Sequence, residues 1–190
     1  MFTAVMELSI QPQIEHFRSI PWCRKHLDRP NQVISPTSSR RSKRSTEYLF
    51  GRTFNTPETL PHLLIFYDHP RPGEAVSEVR ALITLGENVA GHKGVCHGGV
   101  VMALLDEVAG ELGVVNQRVK AIPHRMLMTA YLNTKFIRPL TVPSTVFARA
   151  WRTKTEGRKY FVEVVIEDEN GVSLASADAM FMAVREKGKL

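Results

Sequence analysis

The sequence predicts an α+β fold in which about six antiparallel strands wrap one long helix, and three observations carry that expectation. Strand-like runs separated by turn residues lie on both sides of a single apolar helical segment. The last three runs are joined by short turns, as in an antiparallel meander. No segment repeats, which points to one sheet around one helix rather than an array.

Residues 1–58 are rich in Pro, Ser and Arg, with short apolar patches such as "HFRSIPWC" and "EYLFGRTF", and read as an arm that packs on a core formed by residues 59–190. The texture changes near Pro61. "HLLIFYD" and "AVSEVRALITLG" are strand-like, and "HPRPGE" between them supplies turn residues. The helix follows at "GVCHGGVVMALLDEVAG". After it come "HRMLMTAYLNTKFIRPL", "STVFARAWRTKT", "RKYFVEVVIEDENG" and "VSLASADAMFMAVRE". In "KYFVEVVIED", Tyr160, Val162, Val164 and Ile166 alternate with Glu163 and Glu167, the period-two pattern of a half-buried strand. "TEGRK" and "DENG" are turn sequences.

A chain of 190 residues with 43% hydrophobic side chains has room for one core of ordinary size. No run reaches the ~20 apolar residues of a membrane-spanning helix. The N-terminus also lacks the basic start and apolar stretch of a secretory signal. A soluble protein of a reducing compartment is expected, cytoplasmic, with a mitochondrial address left open. Cys23 and Cys96 form no C-x-x-C pair, so neither a disulfide scaffold nor a zinc ribbon is indicated. The net charge of +6 is concentrated early: residues 1–58 hold nine Lys/Arg against five Asp/Glu, and the remainder 16 against 14. Much of the excess is the cluster "SSRRSKRS", which lacks interleaved aromatics and reads as a solvated basic loop rather than a nucleic-acid site.

On a helical wheel, Val101, Leu104, Leu105, Val108 and Leu112 form one stripe, the face that packs on the sheet. Asp106 falls roughly opposite, among Met102, Ala103, Gly110 and Gly113. Glycine inside a helix costs up to ~1 kcal/mol relative to Ala, so these two imply a need for space and place the carboxylate in a narrow groove. Glu107 and Glu111 lie on a flank and read as partly solvated helix charges. At the helix start, Gly98 and Gly99 leave the first-turn amides accessible, and such unpaired N–H groups suit an oxyanion. His97 just before them reads either as a donor to a substrate carbonyl or as a cap bonded to nearby backbone.

Distance constrains these parts. Asp106 stands eight residues beyond Gly98, ~12 Å along the axis at the α-helical rise. Reacting groups must converge within a few ångströms. One helix cannot bring its first-turn amides and Asp106 to the same carbonyl, whereas two antiparallel helices can pair the turn of one with the acid of the other. An obligatory homodimer with two shared sites is expected, and a homotetramer through the outer sheet is left open.

The motif "HGGVVMALLD", His97 to Asp106, with "MTAYLNTKFIRPL" and "EGRKYFVEV" downstream, resembles the hotdog-fold thioesterases, in particular the small acyl-CoA thioesterase branch that includes the phenylacetate-pathway enzymes and the carboxyl-terminal modulator protein. The resemblance spans roughly residues 60–186, and the arm before it is similar to extensions on fungal relatives. It implies a dimer, a helix wrapped by sheet, and hydrolysis of an acyl thioester carried by CoA or an acyl carrier protein, with no cofactor and no metal. By that resemblance Asp106 is the general base on water or, in the second version, the nucleophile. The Gly98 N–H holds the oxyanion and Thr129 helps place the acid or the water. Some relatives carry an Asn six residues before the His. Here Gly91 stands there, so that polar group is missing or comes from elsewhere, with His92 a candidate. Gly99 completes the amide turn. Arg158 and Lys159 in the "EGRK" turn are candidate phosphate contacts, with Arg152 and Lys154 nearby. Either general lipid metabolism or a secondary pathway fits.

Rival readings are weaker. Cys96 beside His97 suggests a cysteine nucleophile, but neighbours in an extended segment point to opposite sides. His92, Cys96 and His97 lack a second cluster to complete a zinc site. A hotdog dehydratase uses a differently spaced motif. The serious alternative is an acyl-CoA-binding or partner-regulating domain without turnover, although an apolar binder gains nothing from desolvating Asp106.

Overall fold

A computed structural model of the chain describes residues 2–41 and 47–185. Its main sheet is antiparallel and seven-stranded, in the order β1-β2-β3-β7-β8-β9-β6. The strands are β1 (Gln32–Ser35), β2 (His62–Asp68), β3 (Glu78–Leu85), β6 (Leu127–Phe136), β7 (Ser144–Glu156), β8 (Lys159–Glu167) and β9 (Ser173–Ala183). A small ribbon of β4 (Ala90–His92) and β5 (Val95–Cys96) leads into α3 (Gly98–Arg118), the long helix. Two helices open the chain, α1 (Phe2–Ser19) and α2 (Pro21–Leu27). The strands read from the sequence are β2, β3 and β6 to β9; the seventh, β1, comes from the arm and pairs with β2.

The inner face of the sheet wraps α3. Val101, Leu104, Leu105, Val108 and Leu112 are all buried, as the wheel predicts, against Ala81, Ile83, Ala148, Ala150, Val164, Ile166, Ala177 and Ala179. Alanines at so many of these positions let the helix axis approach the sheet closely. The hairpins close as read: Gly157 in the β7–β8 turn and Gly171 in the β8–β9 turn adopt φ of +56° and +77°, the left-handed region that glycine enters without steric cost.

The outer face over β2, β3 and β7 is also covered. Ile10, Ile14, Phe17, Cys23 and Leu27 from α1 and α2 form a second buried cluster with Leu64, Phe66, Leu82 and Phe147. Burial on both faces accounts for the unbroken apolar run in "HLLIFYD". Gln13 Oε1 accepts the Leu63 N–H at 2.9 Å, and the rings of His16 and His62 stack at 3.7 Å.

The basic cluster is not the solvated loop that its composition suggests. Ser39 is buried, and the Arg40 guanidinium donates to the carbonyls of Phe50, Phe54 and Leu60. Arg41 donates to Pro36 O. Three backbone acceptors hold the Nε and Nη2 donors of this guanidinium, so the arginine serves as a clasp for the arm. Ser42 to Ser45 of that cluster lie outside the described residues.

Candidate active site

α3 begins at a capped turn. His97 is extended (φ −63°, ψ 133°), and its Nδ1 accepts the Gly99 N–H at 2.9 Å. His97 O takes the N–H groups of both Val100 and Val101. The ring is therefore the cap of this helix, and the Gly99 amide is spent on it rather than held for a substrate, a correction to the expectation for Gly99. Gly98, at the first helical position, has no intrahelical acceptor for its N–H, and the helix dipole points its positive end there. A Cβ on Gly98 would sit 3.4 Å from the Phe136 ring at the end of β6. A Cβ on Gly91 would come within 3.0 Å of His97 Cα and 2.9 Å of its ring. That contact explains why a side chain such as Asn has no room at Gly91. His92 is exposed on β4.

Asp106 lies further along α3, half-buried, on the face turned from the sheet's inner core. The Thr129 hydroxyl, on β6, donates to Asp106 Oδ1 at 2.8 Å. Both residues line an open groove of about 440 Å³ with Gly110, Val114, Gln117, Leu127 and Phe181. Of the two helix glycines, only Gly110 faces this groove. The space at Gly113 is taken by Leu127, whose Cδ1 would meet an added Cβ at 2.3 Å.

Glu107 and Glu111 depart from the expectation of solvated charges. Glu111 is 2% exposed and accepts the Ser38 N–H, while Glu107 accepts from the Ser39 hydroxyl at 2.7 Å. Burial pushes the Glu107 carboxyl up to about 7, helped by the neighbouring Glu111 and Glu47 and opposed by the Ser39 hydrogen bond and Arg40. Burial also raises Glu111. The wheel angle alone could not find this, because the arm that covers the flank is remote in sequence.

The hairpin residues lie on β7, β8 and the turn between them. Arg158 is half-buried and its Nη1 donates to Ala183 O at 2.8 Å. Lys159 is exposed, as are Arg152 and Lys154, and Lys154 pairs with Glu156. Cys96 is buried, its thiol pushed up to about 11 by burial, which removes the thiolate a nucleophile requires. Among the described residues no group of three His, Cys, Asp or Glu side chains is disposed to hold a metal, and no helix is long and apolar enough to cross a membrane.

The edge strand β6 is the most exposed element of the sheet. Met128, Tyr131 and Phe136 on it, with Met126 and Ile137 flanking, are large apolar side chains left open to solvent in one chain. They lie along the strand that contacts both Asp106, through Thr129, and Gly98, through Phe136.

Comparison with known proteins gives this geometry its relatives. The chain is 28% identical to verlamelin biosynthesis protein B of Lecanicillium sp., over 89% of this chain and 87% of that protein. It is 29% identical to acyl-coenzyme A thioesterase THEM4 of Rattus norvegicus, over 57% of this chain and 44% of the rat protein, so it matches less than half of that relative's length. Among solved structures, a thioesterase superfamily protein superposes with a TM-score of 0.50 at 27% identity, covering 64% of this chain and 56% of that one. A thioesterase from Haemophilus influenzae superposes with a TM-score of 0.53 at 16% identity, covering 66% and 81%, a likeness of fold. The architecture is the hotdog fold. Residues 93–175 match the model of the thioesterase superfamily, the family named for the first of these solved structures.

Proposed function

We propose that the protein hydrolyses an acyl thioester, of CoA or of an acyl carrier protein, at two sites shared across a homodimer, with Asp106 as general base. The observation that carries this reading is the Thr129–Asp106 hydrogen bond on a groove beside an exposed apolar edge strand. The Thr129 hydroxyl holds Oδ1, leaving Oδ2 to accept a proton from water. The water oxygen then attacks the thioester carbon. A C–O bond forms, and the carbonyl electron pair moves to oxygen, where the Gly98 N–H of the partner protomer meets it at the positive end of α3. Collapse breaks the C–S bond, and the thiolate takes the proton from Asp106.

The dimer follows from reach. The first-turn amide and the acid of one helix are ~12 Å apart by helical rise, so a second helix has to supply one of them. β6 offers the docking surface, since an unpaired edge with large apolar side chains is a liability unless it is covered. The outer face of β2, β3 and β7 is occupied by α1 and α2, which favours a dimer over a tetramer built through that face. Arg158 and Lys159 at the β7–β8 turn are proposed phosphate contacts for CoA. Arg158's bond to Ala183 O leaves its remaining donors for that role. The relative named for verlamelin biosynthesis, matching 89% of this chain, supports a biosynthetic setting.

The test is thiol release from acyl-CoA and carrier-bound acyl chains by the purified protein, with Asp106→Asn as control. Release by the wild type and its loss in the variant are expected. Tight acyl-CoA binding with no thiol released would establish the binding-domain alternative instead.

A further inference from the structure

The arm does more than cover the sheet. Its turn at Ser38–Arg40 reaches over to α3 on the flank next to Asp106, where Ser39 donates to Glu107 and the Ser38 amide donates to Glu111. Ser38 and Glu47, which precede and follow the undescribed stretch of the arm, both line the groove that holds Asp106 and Thr129. Arg40 ties this turn to the segment after it through Phe50 O and Phe54 O, so both described flanks of the arm are held in one position. The same groove is lined by the apolar Val114, Met126, Leu127 and Phe181, alongside the polar Gln117, His124 and Arg125. Glu111 lies about 7.5 Å along the helix from Asp106, by the α-helical rise, which places the turn beyond the reacting carbon, beside an acyl chain extending along the groove.

We propose that the turn Ser38–Arg40 is a specificity-determining wall of the acyl groove, and that Ser39 is the positioning residue that sets it through Glu107. This rests on the thioesterase reading for its substrate. The contact joins a segment remote from the chemistry to the residue next to the base, so it alters how the acyl chain is held rather than how the bond is broken. Glu107 faces Glu111 on its own helix and Glu47 and Arg40 on the arm, and Arg41 and Arg118 face Glu111. Its carboxyl is raised in the docked state, as is that of Glu111 under the same turn, so docking weakens as pH climbs from the ordinary carboxylate range toward about 7. The acyl affinity set by the wall follows the same course.

Full-length wild type, Ser39→Ala, Ser39→Thr and Glu107→Gln are compared on short, medium and long acyl-CoAs, and for binding of a non-hydrolysable S-alkyl-CoA thioether. Ser39→Ala should raise KM for long chains by about fivefold to tenfold, with kcat changed by no more than about twofold, as for a contact remote from the bond broken. Ser39→Thr, which keeps the hydroxyl, should restore it. The wild type's KM should rise with pH up to about 7, and Glu107→Gln should flatten that profile. The proposal is overturned if Ser39→Ala matches the wild type for every chain length, or if kcat falls equally for all of them. Should Ser39→Ala fail to fold, the chain-length dependence of KM in Glu107→Gln decides: a rise confined to long chains supports the wall, and no difference from the wild type overturns it. If the wild type releases no thiol, the hydrolase reading has failed, and thioether affinity in Ser39→Ala then tests the wall by itself.

Discussion

The Thr129 hydroxyl donates to Asp106 Oδ1 at 2.8 Å, joining the edge strand β6 to the central helix at the point where the helix carries its groove-facing acid. Two substitutions separate the partners. Asp106→Asn keeps shape and loses the proton acceptor, and should lower kcat on the order of 10²-fold to 10⁴-fold with little change in melting temperature. Thr129→Val loses one hydrogen bond to a charged group and should cost roughly tenfold in kcat. Thr129→Ser should recover most of that. In the Asp106→Asn background Thr129→Val should have little further effect, and steady-state kinetics on the four proteins measures the coupling directly.

Gly91 gives a prediction against restoring the relatives' pattern. Placing Asn there puts a Cβ within 3.0 Å of His97 Cα, a backbone atom that cannot step aside like a side-chain tip. Gly91→Asn should therefore lower activity rather than raise it, and should cost about 1–3 kcal/mol of stability by overpacking. Thermal unfolding and kcat/KM on the same preparation check both parts.

This glycine also shows how far the sequence can be read. The helix stripe and the six expected strands were legible because their periods, 3.6 and 2, are set by local geometry. Asp106 stood out because an acid among glycines conflicts with helix propensity. The Thr129 partnership came only from the resemblance, since a strand threonine has no local mark of its own. Glu107 and Glu111 misled because what buries them is Ser38 and Ser39, about seventy residues away along the chain. One signal did exist for the arm's packing: "HLLIFYD" lacks the alternation of a one-sided strand, and a continuous apolar run means both faces are covered.

The arm's hold on the outer face should be sensitive to acid. His16, His62 and His26 all sit at that contact, the first two stacked on one another and the third on Phe147. Burial lowers all three, and the Coulombic effect of nearby cationic groups adds to it for His26 and His62, which fall to about 4. A histidine lowered on folding favours the docked state at pH above its unfolded value near 6.5, and that advantage is lost as pH falls toward about 4. Glu107, raised to about 7, has the opposite slope over much of the same range. Hydrogen exchange of the amides in α1 and α2 should therefore quicken between pH 6.5 and pH 4 relative to the core strands. His62→Phe should blunt that change. Phe17→Ala should release the same helices at neutral pH, at a cost of about 3–5 kcal/mol.

The proposed mechanism requires each site to be shared between two chains, and mixed subunits test this most directly. Gly98→Pro removes the amide hydrogen at a position where proline suits the first helical turn, with His97 already extended before it and the added Cβ 3.4 Å from the Phe136 ring. Asp106→Asn removes the base. Each variant alone should be inactive. In a dimer containing one of each, the Asp106→Asn chain still supplies its Gly98 amide to the intact Asp106 of the other, leaving one working site. Co-refolded in equal amounts, the pair should recover about a quarter of wild-type activity, from half the molecules carrying one site of two. A mixture that shows no recovery, though size measurement confirms the mixed dimer, would mean that amide and acid act within a single chain, and would contradict the account.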